Sequence, residues 1–371
     1  MHILLTANSG WNIWHFRRSL VEALIADGHM VTILAPFDKS TTNLEQLGCK
    51  FVPIMMNLKS LNPLEPIMLI RLFKHAFKQQ RPDIVLSYTI KNNIFGAIAA
   101  RSLALPFIPN ITGLGTAFLS GWLVQTAAEV LYRFAFQKLP VIFFQNGDDS
   151  DLFLKRRLVR ADQAQVLPGS GIDLSHFNIS KMPFDNAPPV FLMIARLLRD
   201  KGVMEFIEAA RQIKAHNPDI RFQLLGASGS QNRTAISAAT VQEWVDEGIV
   251  EYLGITPDVR PHIVAASCVV LPSYREGAPR TLIEAAAMAR PLIATDVPGC
   301  RSIIDQDVSG FFCDVRSADS LGLAIKRFLD LQPQDRLAMG IAGRAKMERE
   351  FDDTIVLHAY RKAIATLMKA A

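Results

Sequence analysis

One stretch in the last third of the sequence constrains the fold more than any other. Residues 266–271 (Ala-Ser-Cys-Val-Val-Leu) form a short apolar run that is typical of a buried parallel strand. Residues 285–289 (Ala-Ala-Ala-Met-Ala) are strong helix formers. The polar segment between them, residues 272–284, is therefore predicted to be the turn of a βα unit and the start of its helix. Such a unit places the segment at the carboxyl edge of a parallel sheet, where open α/β sheets bind ligands.

The side chains of this segment favour a sugar ligand that carries phosphate. Glu276 and Gly277 lie where the chain leaves the strand, and Ala278 follows them. Pro279 suits the first helical turn, whose free N–H groups favour a phosphate. Glu284 falls about one turn into the helix, within reach of the same ligand. Amides of Gly277 and Ala278 would bind a diphosphate and the two carboxylates would bind hydroxyl groups; the alternative is a pair of ordinary surface glutamates.

The spacing of the two glutamates resembles a known signature. Seven residues separate Glu276 from Glu284, as in the Glu-x7-Glu motif of retaining glycosyltransferases, and residues 271–277 and 291–299 also resemble glycosyltransferase family 4. The first half of the chain resembles bacterial N-acetylhexosaminyltransferases that act on undecaprenyl-diphosphate-linked saccharides. The resemblance implies an α/β architecture of the GT-B type, with two Rossmann-like, doubly wound domains facing across a cleft.

Two cations precede this region in the sequence. Residues 190–194 are predicted to form a strand, Arg196 follows it, and Lys201 comes just before a helix. Positive side chains placed in this way can neutralise a diphosphate as the sugar leaves. The segment resembles the Gly-Arg-Leu-x-x-x-Lys-Gly motif of the family, with Ala195 in place of the first glycine. The resemblance implies that Arg196, Lys201 and Glu276 are the catalytic residues; the alternative for the cations is two surface side chains.

The first half of the chain also begins with a strand, a loop and a helix. Only Gly10 is present where dinucleotide-binding proteins carry Gly-x-Gly-x-x-Gly, so a dinucleotide fingerprint is absent. In the resembled family this loop carries a glycine whose backbone approaches the donor phosphates, a role that Gly10 can fill. Apolar strands and helical stretches then alternate regularly, which predicts a mostly parallel, doubly wound sheet.

Length and composition predict the domain boundaries. A chain of 371 residues most naturally forms two domains. We predict an acceptor-binding domain over residues 1–167, a polar, proline-bearing linker over residues 168–189 and a nucleotide-sugar-binding domain over residues 190–352. In the resembled fold the last helix, here residues 353–371, crosses back onto the first domain.

Two segments of the first half follow predicted strands and are candidates for acceptor binding. Lys91 and Asn93 lie in residues 88–96, which resemble the Tyr-Thr-Ile-Lys-x-Asn-x-x-Gly pattern of bacterial enzymes that extend lipid-linked saccharides. The alternative for both residues is ordinary loop capping. Thr112 and Gly113 follow the next strand, and Gly113 allows either a close backbone approach to a ligand or a tight turn. We predict that all four residues contact substrate.

The basic excess of the chain lies entirely in its first half. Residues 1–180 carry 17 Lys and Arg against 12 Asp and Glu, whereas residues 181–371 carry 23 of each. Basic residues mix with apolar ones over residues 67–78 and cluster over residues 155–160, and residues 113–130 are unusually apolar. Together these features favour an inner-leaflet membrane surface and a polyprenyl-diphosphate-linked saccharide as partners. Taken alone, residues 67–78 are more simply a helix that packs on the sheet and exposes a basic face.

The sequence carries no sign of a metal, a cofactor or a nucleic-acid partner. The four cysteines are scattered, as in reduced core positions of a cytoplasmic protein, and no Asp-x-Asp pair is placed convincingly for Mg²⁺. No recognition motif for nucleic acid is present, and no apolar run reaches the length of a spanning helix. We therefore expect no cofactor, and a cytoplasmic protein attached peripherally to the inner face of the cell membrane. The resemblance implies that the donor substrate is a UDP-sugar.

The resemblance also implies a mechanism. We expect a retaining, metal-independent transfer of N-acetylhexosamine, in which Arg196 and Lys201 hold the donor diphosphate, Glu284 the ribose and Glu276 the hexose hydroxyls. Arg290 departs from the family pattern, which has glycine there, but lies outside these contacts. The sequence leaves three alternatives open: a GDP-sugar-dependent transferase, a UDP-sugar 2-epimerase or phosphorylase of the same fold, and a non-catalytic nucleotide-sugar-binding or scaffold protein.

Overall fold

The computed structural model describes residues 1–56, 65–114, 122–179, 188–229, 232 and 234–370. Contacts divide the chain into two compact units. The first unit comprises Met1–Gly171 together with the C-terminal residues from Asp353, and the second comprises Ile172–Asp352. Residues 172–179, which we predicted as linker, belong to the second unit because Ile172 and Phe177 are buried in its core. Residues 180–187 of the predicted linker lie outside the described residues.

The first unit is built on a sheet of seven parallel strands, in the order β3-β2-β1-β4-β5-β6-β7. The strands are short, and the central ones are largely apolar and buried. Leu4 of β1, for example, pairs with Thr32 of β2 on one side and with Val85 of β4 on the other. The winding reverses between β1 and β4, so the loops after these two strands lie on either side of a switch point. The strands are β1 His2–Thr6, β2 Met30–Ala35, β3 Lys50–Pro53, β4 Ile84–Tyr88, β5 Phe107–Ile111, β6 Ile142–Phe144 and β7 Ala164–Val166.

Helices cover both faces of this sheet. Caps fix where some of them begin: Ser9 accepts a hydrogen bond from the N–H of Asn12, and Asn146 accepts one from the N–H of Asp149. The helices before the second unit are α1 Gly10–Ala26, α2 Thr41–Gln46, α3 Glu65–Gln80, α4 Ile90–Arg101, α5 Trp122–Phe136 and α6 Gly147–Lys155. Helix α1 packs on one face, while α3, α4 and α5 pack on the other.

The second unit repeats this architecture with six parallel strands, in the order β10-β9-β8-β11-β12-β13. The winding reverses between β8 and β11. The strands are β8 Val190–Ile194, β9 Arg221–Leu225, β10 Glu251–Tyr252, β11 Cys268–Leu271, β12 Leu292–Thr295 and β13 Gly310–Cys313. The helices are α7 Val203–Lys214, α8 Ala238–Asp246, α9 Arg260–Ala265, α10 Arg280–Ala287, α11 Pro298–Arg301, α12 Ala318–Asp330 and α13 Pro333–Lys346. The predicted fold class, two Rossmann-like doubly wound sheets, is confirmed.

The last helix, α14 Asp353–Ala370, packs on the first unit. Its residues Val356, Ile364 and Leu367 are buried in the same core as α1. Tyr360 is fully buried and its hydroxyl accepts a hydrogen bond of 2.9 Å from the side-chain amide of Asn110. The two ends of the chain therefore share one hydrophobic core.

Arg290, which replaces a glycine of the family pattern, has a structural role in the second unit. Its side chain is fully buried and donates to the backbone carbonyls of Ile263 (3.0 Å), Val264 (2.9 Å) and Met288 (3.2 Å). These carbonyls lie at the C-terminal ends of α9 and α10, where a cation is favoured by the helix dipole. Burial lowers the pKa of Arg290 to about 10. The guanidinium therefore fastens the C-terminal ends of α9 and α10 together.

Candidate functional site

The central contact of the second unit joins two predicted catalytic residues across the switch point of the sheet. Lys201 lies in the 3-10 turn Arg199–Lys201 that follows β8, and Glu276 lies in the loop that follows β11, the neighbouring strand. The ammonium Nζ of Lys201 lies 2.5 Å from Oε1 of Glu276. Only 23% of the lysine side chain and 11% of the glutamate side chain are exposed. The pair is thus largely withdrawn from water at the edge where such sheets bind ligands.

A glycine allows the two segments to approach so closely. Gly202 adopts a left-handed conformation with a φ of 77°, and a Cβ atom built on it would lie 2.0 Å from the carbonyl oxygen of Pro272. No side chain fits there, so the residue after Lys201 has to be glycine for the turn to pack against the end of β11. Next to this contact, the N–H of Tyr274 donates to the carbonyl of Asp200 over 2.9 Å.

Arg196 stands at the carboxyl end of β8. Its side chain is exposed, and its guanidinium makes no hydrogen bond or ion pair with any residue that the structure describes. Its backbone is fixed by a close approach, because a Cβ atom on Gly226 would lie 1.8 Å from the carbonyl oxygen of the preceding Ala195. An arginine whose backbone is fixed and whose guanidinium is exposed to solvent is suited to binding an anion.

Gly277 and Ala278 lead from Glu276 into α10. The loop packs against α11, since a Cβ atom on Gly299 would lie 2.6 Å from the carbonyl oxygen of Gly277. Helix α10 has Pro279 as its N-cap residue, and no side chain caps its first turn. Its leading N–H groups therefore keep the anion-binding capacity of a helix N-terminus.

Glu284 is more buried than the sequence suggests. It lies in the second turn of α10, is 8% exposed and accepts a hydrogen bond of 2.7 Å from Nε of Arg280. Burial raises the pKa of Glu284, and the charge of Arg280 opposes that rise. Arg280 was not among the predicted site residues, although its position four residues before Glu284 is the spacing of a helical ion pair. The two side chains form one hydrogen-bonding group at the start of α10.

Gly10, in the first unit, lies against a carboxylate. The N–H of Trp11 donates to Oδ2 of Asp38 over 2.7 Å, and a Cβ atom on Gly10 would lie 2.9 Å from the other carboxylate oxygen. Ser9 accepts from the N–H of Asn12. The carboxylate of Asp38 therefore occupies the place at the start of α1 where we expected Gly10 to meet a donor phosphate. A helix N-terminus attracts a carboxylate of its own chain as readily as a ligand. Asp38 was not among the residues predicted from the sequence.

Lys91 and Asn93 begin α4 at the end of β4. Nζ of Lys91 lies 3.0 Å from Oε1 of Glu65 at the start of α3, with 26% of the lysine side chain exposed. Asn93 is fully buried, and its amide nitrogen donates to the backbone carbonyl of Asn110 over 2.8 Å. Asn93 therefore joins α4 to β5, whereas Lys91 is paired with Glu65 and keeps part of its side chain exposed.

Thr112 and Gly113 follow β5, the strand next to β4. Both are half-buried, and Gly113 has a φ of 127°, a backbone conformation that favours glycine. The positive φ agrees with the turn alternative for this residue. Residues 115–121, which continue the predicted apolar segment, lie outside the described residues. Lys91, Thr112 and Gly113 thus share the carboxyl edge of two neighbouring strands.

Helix α3, which we predicted as a membrane-binding element, buries some of its apolar side chains and exposes others. Its Leu69, Phe73 and Phe77 are buried in the first unit, as in the simpler alternative of a sheet-packing helix. Its first turn exposes Ile67 and Met68. Residues 57–64, which precede it, lie outside the described residues.

Helix α5 brings an apolar surface and the second basic cluster together. Arg133 donates to the backbone carbonyls of Arg156 (3.1 Å) and Arg157 (3.2 Å), so the basic residues 155–160 lie beside this helix. The same helix exposes Val130, Leu131 and Phe134. Apolar side chains flanked by arginines are typical of surfaces that rest on anionic lipid.

The ranges that the structure describes contain neither a helix fit to span a bilayer nor a metal-binding cluster. No helix in these ranges is long and apolar enough to cross a bilayer. Within the same ranges, no three His, Cys, Asp or Glu side chains are grouped so that they could hold a metal ion.

Comparisons with known proteins match both units. The family described as "Glycosyl transferase 4-like domain" matches residues 13–169, and "Glycosyl transferases group 1" matches residues 176–346. An N,N'-diacetylbacillosaminyl-diphospho-undecaprenol alpha-1,3-N-acetylgalactosaminyltransferase of Campylobacter jejuni is 27% identical over 392 aligned positions, which cover all of both chains. An Escherichia coli UDP-Gal:alpha-D-GlcNAc-diphosphoundecaprenol alpha-1,3-galactosyltransferase is 28% identical, over 76% of this chain and 73% of its own.

Solved structures show the same fold at low sequence identity. Sucrose-phosphate synthase from Thermosynechococcus elongatus superposes with a TM-score of 0.80 at 20% identity, covering 100% of both chains. Anabaena HepE in complex with UDP superposes with a TM-score of 0.78 at 19% identity, covering 99% of this chain and 100% of that one.

Proposed function

Because the chain belongs to the glycosyltransferases, with a glycosyltransferase 4-like first half and a group 1 second half, we propose that it transfers N-acetylhexosamine from a UDP-sugar to a saccharide on undecaprenyl diphosphate. The full-length likeness to the Campylobacter enzyme, whose name states such an acceptor and such a sugar, supports both choices. The product would be a lipid-linked glycan lengthened by one residue for surface polysaccharide assembly.

The main support for a donor site in the second unit is the Lys201–Glu276 pair at the switch point of its sheet. In the proposal, Lys201 and the available guanidinium of Arg196 bind the diphosphate, assisted by the amides of Gly277 and Ala278 at the start of α10. Glu276 keeps Lys201 in place and accepts hydrogen bonds from hexose hydroxyls. Glu284 would bind the ribose, with Arg280 at its side.

The reaction follows from this placement of charge. The bond between the anomeric carbon and the diphosphate oxygen breaks, and negative charge grows on the departing UDP, where Arg196 and Lys201 stabilise it without reorganisation. The acceptor oxygen attacks the anomeric carbon from the face that the diphosphate leaves and passes its proton to a phosphate oxygen. The anomeric configuration is retained, and the two side-chain cations supply the charge that a metal ion supplies elsewhere.

We place the acceptor on the first unit and the protein on the inner face of the cell membrane. Lys91, Thr112 and Gly113 at one sheet edge, and Asn93 beneath them, are the acceptor-binding candidates. Membrane attachment is supported by the exposed apolar side chains of α5 beside the arginines at 133, 156 and 157.

A donor panel tests the proposal. The purified protein would be mixed with UDP- and GDP-sugars and an undecaprenyl-diphosphate-linked saccharide, and the release of nucleoside diphosphate followed with and without EDTA. We expect release from one UDP-N-acetylhexosamine, unaffected by EDTA, abolished by Lys201→Ala and unchanged by Lys326→Ala, an exposed lysine on α12 of the same unit.

Other outcomes would select the alternatives. Release from a GDP-sugar alone would overturn the donor. Conversion of the UDP-sugar without an acceptor would indicate an epimerase, and no turnover of any donor would indicate a binding protein. An inverted anomeric centre in the product, seen by NMR, would refute the retaining mechanism.

A further inference from the structure

Tyr274 connects the two segments that carry the Lys201–Glu276 pair. Its N–H donates to the carbonyl of Asp200, the residue before Lys201, over 2.9 Å. Its hydroxyl donates to Oε1 of Glu205 over 2.7 Å. Tyr274 itself lies two residues before Glu276. Its backbone therefore joins this loop to the residue before Lys201, and its hydroxyl joins the loop to α7.

Glu205 is a firm anchor for this hydroxyl. It lies in the first turn of α7, where a carboxylate is favoured by the helix dipole. Its second oxygen, Oε2, is buried and accepts no hydrogen bond from the residues that the structure describes. Among the described residues, the hydroxyl of Tyr274 is therefore the hydrogen-bond donor on which this half-buried carboxylate depends, and losing it is costly.

The ring of Tyr274 is held from the other side as well. The guanidinium of Arg316 lies 4.7 Å from the ring centroid, within the range of a cation–π contact. Burial, followed by the hydrogen bond to Glu205, raises the pKa of Tyr274 to about 12. The hydroxyl therefore stays protonated and keeps donating at any pH at which the protein would work.

The first residues of this loop are held by other contacts. The hydroxyl of Thr295 donates to the carbonyl of Ser273, and Gly202 packs against Pro272. These contacts hold the base of the loop, whereas Glu276 lies beyond Tyr274. Besides the Lys201–Glu276 pair itself, the hydrogen bond from Tyr274 to Glu205 links this loop to the helix that follows Lys201.

We propose that Tyr274 is a positioning residue, anchored by Glu205, that holds Lys201 and Glu276 in register for sugar transfer. The inference rests on the proposed function, since it assumes that this pair meets the donor. Because reactivity depends steeply on the placement of charged groups, a loosened pair should slow the chemical step more than it weakens donor binding.

Three variants test the proposal through a split between kcat and KM. Tyr274→Phe and Glu205→Ala should each lower kcat for the UDP-N-acetylhexosamine about tenfold, which is the loss expected when a reacting group is displaced by less than an ångström. KM should change less than about twofold. Glu205→Gln keeps an oxygen that accepts from the tyrosine and should retain most of kcat. The double variant Tyr274→Phe/Glu205→Ala should be no slower than the slower single variant, because both remove one interaction.

The control is Ile213→Val, a truncation in the core at the far end of α7. It should lower the melting temperature by an amount similar to Tyr274→Phe and leave kcat unchanged. If kcat follows the melting temperature in all variants, or if the two single losses multiply in the double variant, the positioning role is wrong.

Failure of this inference can be separated from failure of the proposed function. If Lys201→Ala and Glu276→Ala abolish turnover but Tyr274→Phe does not slow it, only the positioning role falls. If the wild-type protein turns over no donor, a crystal structure of Tyr274→Phe decides: an Nζ to Oε1 distance unchanged from 2.5 Å overturns the positioning role.

Discussion

Replacing Gly202 by alanine should separate the catalytic pair without removing either member. A Cβ atom there would lie 2.0 Å from the carbonyl oxygen of Pro272 and 2.6 Å from its carbonyl carbon. Atoms in contact need roughly 3.5 Å, so the turn that carries Lys201 has to move by about 1.5 Å from the end of β11. A displacement of about 1 Å at a reacting group costs on the order of a hundredfold in rate. We therefore expect kcat/KM to fall about a hundredfold.

Gly248→Ala is a matched control for the backbone effect. Gly248 lies in the same unit with a φ of 71°, close to the 77° of Gly202, but a Cβ atom on it would meet nothing within 4 Å. Each alanine bears the cost of a left-handed conformation, about 1–2 kcal/mol. At about 2–4 °C for each kcal/mol in a unit of this size, Gly248→Ala should lower Tm by a few degrees and leave turnover unchanged.

Thermal unfolding and nucleoside diphosphate release, measured on both variants, decide the matter. The clash should add about 1–3 kcal/mol for Gly202→Ala, so its Tm should fall further than that of Gly248→Ala and its turnover should collapse. Equal Tm losses with equal turnover would show that the two segments need not touch, and would refute the reasoning.

Three further predictions concern stability. Arg290→Ala should destabilise the second unit by about 3 kcal/mol in urea unfolding, because buried carbonyls at two helix ends lose their donor; a loss below 1 kcal/mol would contradict this role. Tyr360→Ala should cost the first unit about 3–5 kcal/mol by opening a cavity under α14, with Tyr360→Phe as the milder control. Burial lowers the pKa of His2 from its usual value of 6.5. As the pH drops, the unfolded chain therefore takes up the proton before the folded one, and the free energy of unfolding falls below pH 6.5. His2→Asn should make this decline of the unfolding free energy shallower.

The sequence predicts those parts of the fold and of the site that depend on residues close together along the chain. Apolar runs of four to six residues mark the strands, and the Glu276 and Lys201 segments directly follow two of them. The strand order then places the two segments side by side, because β8 and β11 are neighbours at the point where the winding reverses.

What the sequence does not reveal depends on partners far along the chain. Asp38 reaches the start of α1 from the loop after β2, and Glu205 meets Tyr274 across 69 positions. No local pattern encodes such pairings, since they arise only when the sheet has formed. Arg280 is different, because its spacing from Glu284 is visible in the sequence, and a test for helical ion pairs would have found it.

Glu284 shows a second limit of the sequence. Charged residues are usually exposed, so its position in a helix suggests an accessible carboxylate. The structure buries it to 8% exposure because α10 is packed between two strands and α13. Local chemistry identifies the residue, and tertiary packing decides how much of it a ligand can reach.

The placement of α14 has a consequence for how the protein is made. The core of the first unit includes side chains of a helix that leaves the ribosome only after all of Ile172–Asp352 has been synthesised. At about 5–20 residues per second, the first sheet waits roughly 10–40 s with the α14 side of its core uncovered. During this interval the apolar side chains that α14 covers stay exposed, and the second unit can fold before the first is complete.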